Sequence, residues 1–178
     1  MLDVNLLVEL QKYVEHHRPR EVDVNGHLEY CDSIKKETRY RLSMEDCDSV
    51  HYKELEGYIE QAREPNFRDV LFHLIEEKGI SDTEIYKDAG MDRRHFSKIR
   101  TNRNYQPGKT TVIALILALK LNEEEAWKLL HSAGYSLSKS SIFDLIVCFC
   151  LEKEIYDLDA VNYALDYFGI KTLLGVIE

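Results

Sequence analysis

The chain has 178 residues, of which 44% are hydrophobic and 31% are charged. This apolar fraction excludes a disordered chain and suffices for one packed domain, or for a domain with a smaller companion. The formal net charge is −9, so long-range attraction to a polyanion would have to come from a local basic patch.

No stretch of the sequence is typical of a membrane protein or a secreted protein. The longest apolar runs are too short for a bilayer span, and the first residues lack the basic leader of a secretory signal. We therefore expect a soluble, cytoplasmic protein with no membrane partner. The four cysteines have no zinc-site spacing, and we expect them to be free thiols. They are Cys31, Cys47, Cys148 and Cys150.

Residues 1–65 form an acidic N-terminal region with 9 basic and 15 acidic side chains. Apolar residues at helical spacing predict an amphipathic helix over residues 2–16. An Asn-Gly pair predicts a short β-hairpin over residues 21–31. Residues 50–63 have the pattern of a polar helix, and a second region, residues 66–178, follows.

Helix signals become sharper in this second region. A first apolar helical face ends at Gly79. Ser81 and Glu84 have the spacing of a capping box, which predicts the start of a short second helix. Gly90 is a suitable left-handed stop for that helix.

Asp92 can cap a third helix, which runs to residue 101. Phe96 and Ile99 would lie on its buried side, because they are three residues apart. A turn-rich loop over residues 102–108 follows.

Four more helices complete the chain. Residues 112–119 are apolar on all sides, which is typical of a helix buried on every side. A capping box at Asn122 starts the next helix. Ser141 starts the first of two C-terminal helices, and Asp157 or Asp159 starts the second.

The apolar helix 112–119 requires a cover, which the N-terminal segment, the two C-terminal helices or another subunit could provide. The simplest arrangement wraps the two C-terminal helices around the preceding helices to form one larger domain. A dimer interface is the alternative.

This order of helices and turns carries a family resemblance over about residues 66–135. The matching residues are Ile85, Ala89, Gly90, Met91, Asp92, Phe96, Ile99, Pro107, Ile113, Leu115, Ala118 and Leu119. The segment resembles the lambda-repressor-like helix-turn-helix domain of the Xre family. The resemblance implies a mainly α helical bundle, extended here by the two C-terminal helices, and DNA binding through a recognition helix at residues 92–101. Residues 67–173 also look like a module at the C-termini of some bacterial macro-domain and stress-related proteins.

Three positions depart from the family pattern. Tyr86 stands where the family commonly has a small residue. Asp82 stands where the family often has a glutamine that contacts the DNA backbone, and its carboxylate would repel phosphate. Arg100 replaces the usual acid near the end of the recognition helix, a change that favours contact with an anion.

Residues 93–109 carry six basic side chains and no acidic one. With Phe96 and Ile99 buried, helical rotation turns the basic side chains outwards. Arg and Lys can read guanine edges, with Ser and Thr assisting, and the following loop can contact phosphates. The predicted DNA-binding residues are Arg93, Arg94, Ser97, Lys98, Arg100, Thr101, Arg103, Asn104 and Lys109.

Two functions are compatible with these features. The first is a sequence-specific, DNA-binding transcriptional regulator of the Xre type that binds duplex DNA as a homodimer. The second is a protein-interaction or regulatory module, in a bacterial stress or defence context, that keeps the fold without binding DNA. Its basic stretch would bind an acidic protein partner. No catalytic or metal-ligand pattern points to an enzyme, so we expect no catalytic residues, metal site or cofactor.

Overall fold

A computed structural model describes residues 4–17 and 49–173, and these two segments are helical with short connections. No strand occurs within them, so the predicted mainly α fold is confirmed. The hairpin predicted over residues 21–31 lies outside the described residues. In chain order the helices are α1 (Val4–His17), α2 (Ser49–Ala62), α3 (Phe67–Lys78), α4 (Asp82–Asp88), α5 (Arg93–Thr101), α6 (Lys109–Ala118), α7 (Glu123–Ser132), α8 (Ile142–Glu152) and α9 (Leu158–Tyr167).

The helices fall into two compact units. The first unit contains α1 and α3 to α9, and the second contains α2. The second unit ends at Glu64, one residue before the boundary predicted after residue 65. The amphipathic helix near the N-terminus, which the sequence analysis grouped with the acidic region, packs inside the first unit.

Two capping boxes start α4 and α7, as predicted. At α4, the Ser81 amide donates to Glu84 Oε2 at 3.0 Å, and the Glu84 amide donates to Ser81 Oγ at 3.3 Å. The Ser81 hydroxyl also donates to Glu84 Oε2, at 2.7 Å, and this bond, together with the one from the Ser81 amide, lowers the pKa of the Glu84 carboxyl. Asn122 and Glu125 exchange the same pair of bonds at α7, each at 2.9 Å. The boxes satisfy backbone amides that would otherwise lack partners at these helix starts.

The turn between α4 and α5 depends on Gly90, whose φ is +60°. A side chain is strained in this left-handed conformation, and glycine is not. The Gly90 amide donates to the Lys87 carbonyl, and the Met91 amide donates to the Tyr86 carbonyl, both at 2.9 Å. Asp92 then accepts from the Arg94 amide and starts α5. The predicted stop and cap are both confirmed.

The core is centred on α6, in which every residue from Thr111 to Ala118 is buried. This helix contacts α4, α7 and α9, and so it is covered from several directions. The prediction that residues 112–119 are buried on every side is confirmed.

The two C-terminal helices belong to the same core. In α8 the buried residues include Leu145, Ile146 and Phe149. α8 contacts α9 on one side and α1 on another. Leu10 of α1 is 1% exposed, and the Tyr13 ring meets the Phe149 ring edge-on at 5.3 Å. The N-terminal helix is thus part of the cover of α8.

Candidate nucleic-acid interface

The helix α5 is anchored by two buried apolar side chains, Phe96 and Ile99. The Phe96 ring lies 6.2 Å from the Phe72 ring of α3 and 6.4 Å from the Tyr86 ring of α4. Tyr86, which departs from the family pattern, is thereby part of the apolar contact between α4 and α5. Aromatic contacts of this kind stabilise the packing beyond the area that they bury.

The opposite side of α5 is exposed. Six of the nine predicted DNA-binding residues lie in this helix, and all six are exposed. Thr101 Oγ1 donates to the Ser97 carbonyl at 2.9 Å, so the Thr101 hydroxyl is bound to the backbone of α5. The six residues are Arg93, Arg94, Ser97, Lys98, Arg100 and Thr101. We call these residues the α5 outer face.

The cations of the α5 outer face differ in their surroundings. Arg93 and Arg94, in the first turn, form no ion pair with any of the described residues. The Lys98 ammonium lies 4.6 Å from the centroid of the Tyr105 ring, within the range of a cation–π contact. The Tyr105 hydroxyl in turn lies 2.9 Å from His95 Nε2. Lys98 is therefore held next to the loop that follows α5.

Arg100, at the other end of the face, has an acidic partner. Its Nη1 lies 2.7 Å from Asp82 Oδ2 on α4, and its guanidinium carbon lies 4.8 Å from the centroid of the Phe72 ring. Arg100 is 52% exposed and Asp82 34%. The two residues that depart from the family pattern with opposite charges thus form an ion pair with each other.

The side chain of Arg68 in α3 binds the backbone of α5 in its last turn. Arg68 Nε donates to the Arg100 carbonyl at 2.7 Å. A cation at a helix C-terminus also interacts favourably with the helix dipole. The sequence analysis missed this role. The spacing of Arg68 and Phe72, four residues apart on α3, indicates only that these two side chains can meet.

The loop after α5 contributes two further predicted residues, Arg103 and Asn104. Both are exposed. Arg103 Nη2 lies 3.7 Å from Asp69 Oδ2, and Arg103 is 75% exposed. The Asn104 amide donates to Asn102 Oδ1 at 3.1 Å, which fixes the turn. The ion pair of Arg103 is looser than that of Arg100.

Lys109, the last predicted DNA-binding residue, points towards the core. Its Nζ lies 2.6 Å from Asp144 Oδ1 and 2.8 Å from Oδ2. Asp144 is 3% exposed and also accepts from the Ser138 amide at 2.8 Å. A buried carboxylate needs such partners. Lys109 therefore connects the start of α6 to the start of α8.

Other chemistry is sparse in the described part of the chain. Within residues 4–17 and 49–173 there is no group of three or more His, Cys, Asp or Glu side chains that could hold a metal ion. None of the described helices is long and apolar enough to cross a membrane.

Comparisons of the chain with protein-family models, with curated proteins and with solved structures find no match. The inference of function therefore depends on the geometry of the chain itself.

Proposed function

We propose that the protein is a sequence-specific, DNA-binding transcriptional regulator of the Xre type, with α5 as its recognition helix. One observation carries the proposal: α5 is anchored by Phe96 and Ile99 and presents basic and hydroxyl side chains, without an acid, to solvent. A helix in the major groove needs an anchored side and an outward side of this kind.

The surroundings of each cation suggest its role on DNA. Arg94, Ser97, Lys98 and Thr101 lie around the outermost line of the helix, and these side chains would meet base edges. Arg93, in the first turn, would contact a backbone phosphate, as would Arg103 and Asn104 in the loop. Phosphate contacts supply most of the affinity, and base contacts supply the specificity.

A homodimer in the cytoplasm completes the proposal. One recognition helix contacts few base pairs, so two copies bound about one helical turn apart, roughly 34 Å, would provide the usual discrimination.

The first prediction tests this face by charge reversal. We expect the double variant Arg94→Glu/Lys98→Glu to lose at least about thirtyfold in affinity for duplex DNA, because two attractive contacts become repulsive. The measurement is a titration of labelled duplex at low salt, followed by anisotropy. The buried side chains Phe96 and Ile99 are unchanged, so the midpoint temperature of thermal unfolding should change little.

The matched control is Lys128→Glu, an exposed lysine on α7, outside the α5 outer face. It reverses one charge on the same protein and should leave DNA affinity nearly unchanged. A control loss of about half the double variant's loss in binding free energy, in proportion to the charges reversed, would show a general effect of net charge. A wild-type protein without affinity for any duplex at low salt would exclude the proposed function.

A second candidate function is a protein-interaction module that uses the same face without DNA. The observation that favours it is the engagement of three predicted DNA contacts, Arg100, Arg103 and Lys109, with acids of the same chain. An acidic protein could bind the remaining cations. In that case the same charge reversal abolishes a complex that survives nuclease treatment, and the wild-type protein does not bind duplex DNA.

A further inference from the structure

The ion pair between Arg100 and Asp82 joins the end of the proposed recognition helix to the start of α4. We propose that Asp82 limits phosphate binding by this face, because it keeps Arg100 in an intramolecular ion pair and so raises the share of affinity that comes from base contacts. This inference rests on the proposed function and assigns to an acidic residue the role of limiting sequence-independent affinity.

Three contacts hold Arg100 in place. The first is the 2.7 Å contact with the Asp82 carboxylate. The second is the stacking of its guanidinium on Phe72 at 4.8 Å. The third is the hydrogen bond from Arg68 to the Arg100 carbonyl at 2.7 Å. Both the side chain and the backbone of Arg100 are thus engaged with α3 and α4.

A phosphate that approaches this end of α5 competes with Asp82 for the guanidinium. An exposed ion pair alone is weak in water, but the Phe72 ring and the hydrogen bond from Arg68 also hold Arg100 beside Asp82, so the wild-type protein has no gain from a phosphate contact of Arg100. That gain is independent of sequence, because every phosphate can provide it. Withdrawing a cation from phosphate therefore lowers the affinity for every duplex alike, and base contacts supply a larger share of the affinity that remains.

Arg103 and Asp69 do not have the same effect. Their contact is longer, at 3.7 Å, and Arg103 is 75% exposed. No aromatic ring holds the Arg103 guanidinium among the described residues. Arg103 can therefore exchange partners more easily, and the inference concerns Asp82 alone.

The second prediction concerns the salt dependence of DNA binding. The variant Asp82→Asn releases Arg100, which then contacts a DNA phosphate. Each protein chain thereby gains one phosphate contact. The plot of log affinity against log salt concentration should become steeper by about 0.9 per chain. Between about 50 and 200 mM salt, this adds a loss of roughly threefold per chain. Random duplex DNA is the probe, and anisotropy the measurement.

Two matched variants isolate the mechanism. Asp88→Asn removes the same charge from the same helix, and Asp88 forms no ion pair with any described residue; it should leave the slope unchanged. Arg100→Gln should leave the slope unchanged in the wild-type background. In the Asp82→Asn background it should return the slope to the wild-type value.

The outcomes separate this inference from the proposed function. If the wild-type protein binds duplex DNA and Asp82→Asn has the wild-type slope, the inference is wrong while the function stands. An equal effect of Asp82→Asn and Asp88→Asn also overturns it, since long-range charge would then be the cause. A wild-type protein that binds no duplex at low salt overturns the proposed function and this inference together.

Discussion

Cys150 lies in α8 with only 1% of its surface exposed. Burial raises the pKa of its thiol to about 12, because the thiolate is poorly solvated in the apolar core. In the unfolded chain the pKa of a cysteine thiol is about 8.5. The folded state therefore binds the proton more tightly than the unfolded state, and folding is favoured while the thiol stays protonated. This contribution is complete below about pH 8.5 and declines as the pH rises towards 12.

The third prediction follows from the raised pKa of the Cys150 thiol. In the presence of reductant, the free energy of unfolding should fall above about pH 8.5, by up to about 1.4 kcal/mol per pH unit from Cys150. The variant Cys150→Ala should lose less stability between pH 8 and 10 than the wild-type protein, although it is less stable at pH 7. Urea titrations across this range measure both. Parallel curves for the two proteins would contradict the assignment.

Residues whose partners are close in sequence were predicted well. Asp92, Ser81 and Gly90 form their hydrogen bonds with residues a few positions away in the chain. Their roles can therefore be predicted from sequence spacing. The pairs Arg100–Asp82 and Lys109–Asp144 were not predicted. Opposite charges are abundant in this chain, and the packing of helices far apart in sequence determines which of them meet. The predicted phosphate-contacting role of Lys109 therefore stays a prediction, next to an observed role in the core.

At the scale of elements, α6 differs from its neighbours because it has no polar side between Val112 and Ala118. The pattern alone predicted that the helix must be covered. It left open whether the N-terminal segment, the C-terminal helices or a second copy provides the cover. The contact between α6 and α9 within one chain supports a cover by the C-terminal helices. Choosing between the alternatives required the tertiary structure.

The fourth prediction concerns that cover. Leu117 is 1% exposed, and Leu117→Ala should lower the free energy of unfolding by about 3 kcal/mol, through lost burial and the cavity that remains. Val8→Ala is a suitable control, since Val8 is 44% exposed and its change should stay within about 0.5 kcal/mol. Chemical denaturation followed by Trp127 fluorescence reports on both variants. A loss below 1 kcal/mol at Leu117 would show that the position is solvated.

At the scale of the whole molecule, the sequence analysis placed the helix near the N-terminus with the acidic region, because the two are adjacent in the chain. In the structure Leu10 and Val14 are buried, and α1 contacts α8. Lys153 and Glu9 add an ion pair between these two helices. The amphipathic pattern predicted a buried side but not its partner, since the two helices are more than 120 residues apart.

The fifth prediction compares buried and exposed apolar pairs in the two units. We expect Leu10→Ala/Val14→Ala to cost about 4 kcal/mol of unfolding free energy, because both side chains are buried. The matched variant Leu55→Ala/Ile59→Ala alters α2, where each residue is 52% exposed, and should change stability by less than about 1 kcal/mol. The unfolding transition of the first unit, followed by Trp127 fluorescence, is the measurement. Similar losses in the two variants would contradict the separate roles of α1 and α2.

The burial of residues 111–118 in α6 has a consequence for synthesis of the chain. The ribosome releases residues 109–118 before residues 142–167, so α6 forms while its C-terminal cover is still missing. During that interval an apolar helix surface faces water, and such surfaces promote aggregation. We expect nascent chains that end before Ile142 to be the species that most need a chaperone, and release of the last two helices to end that need.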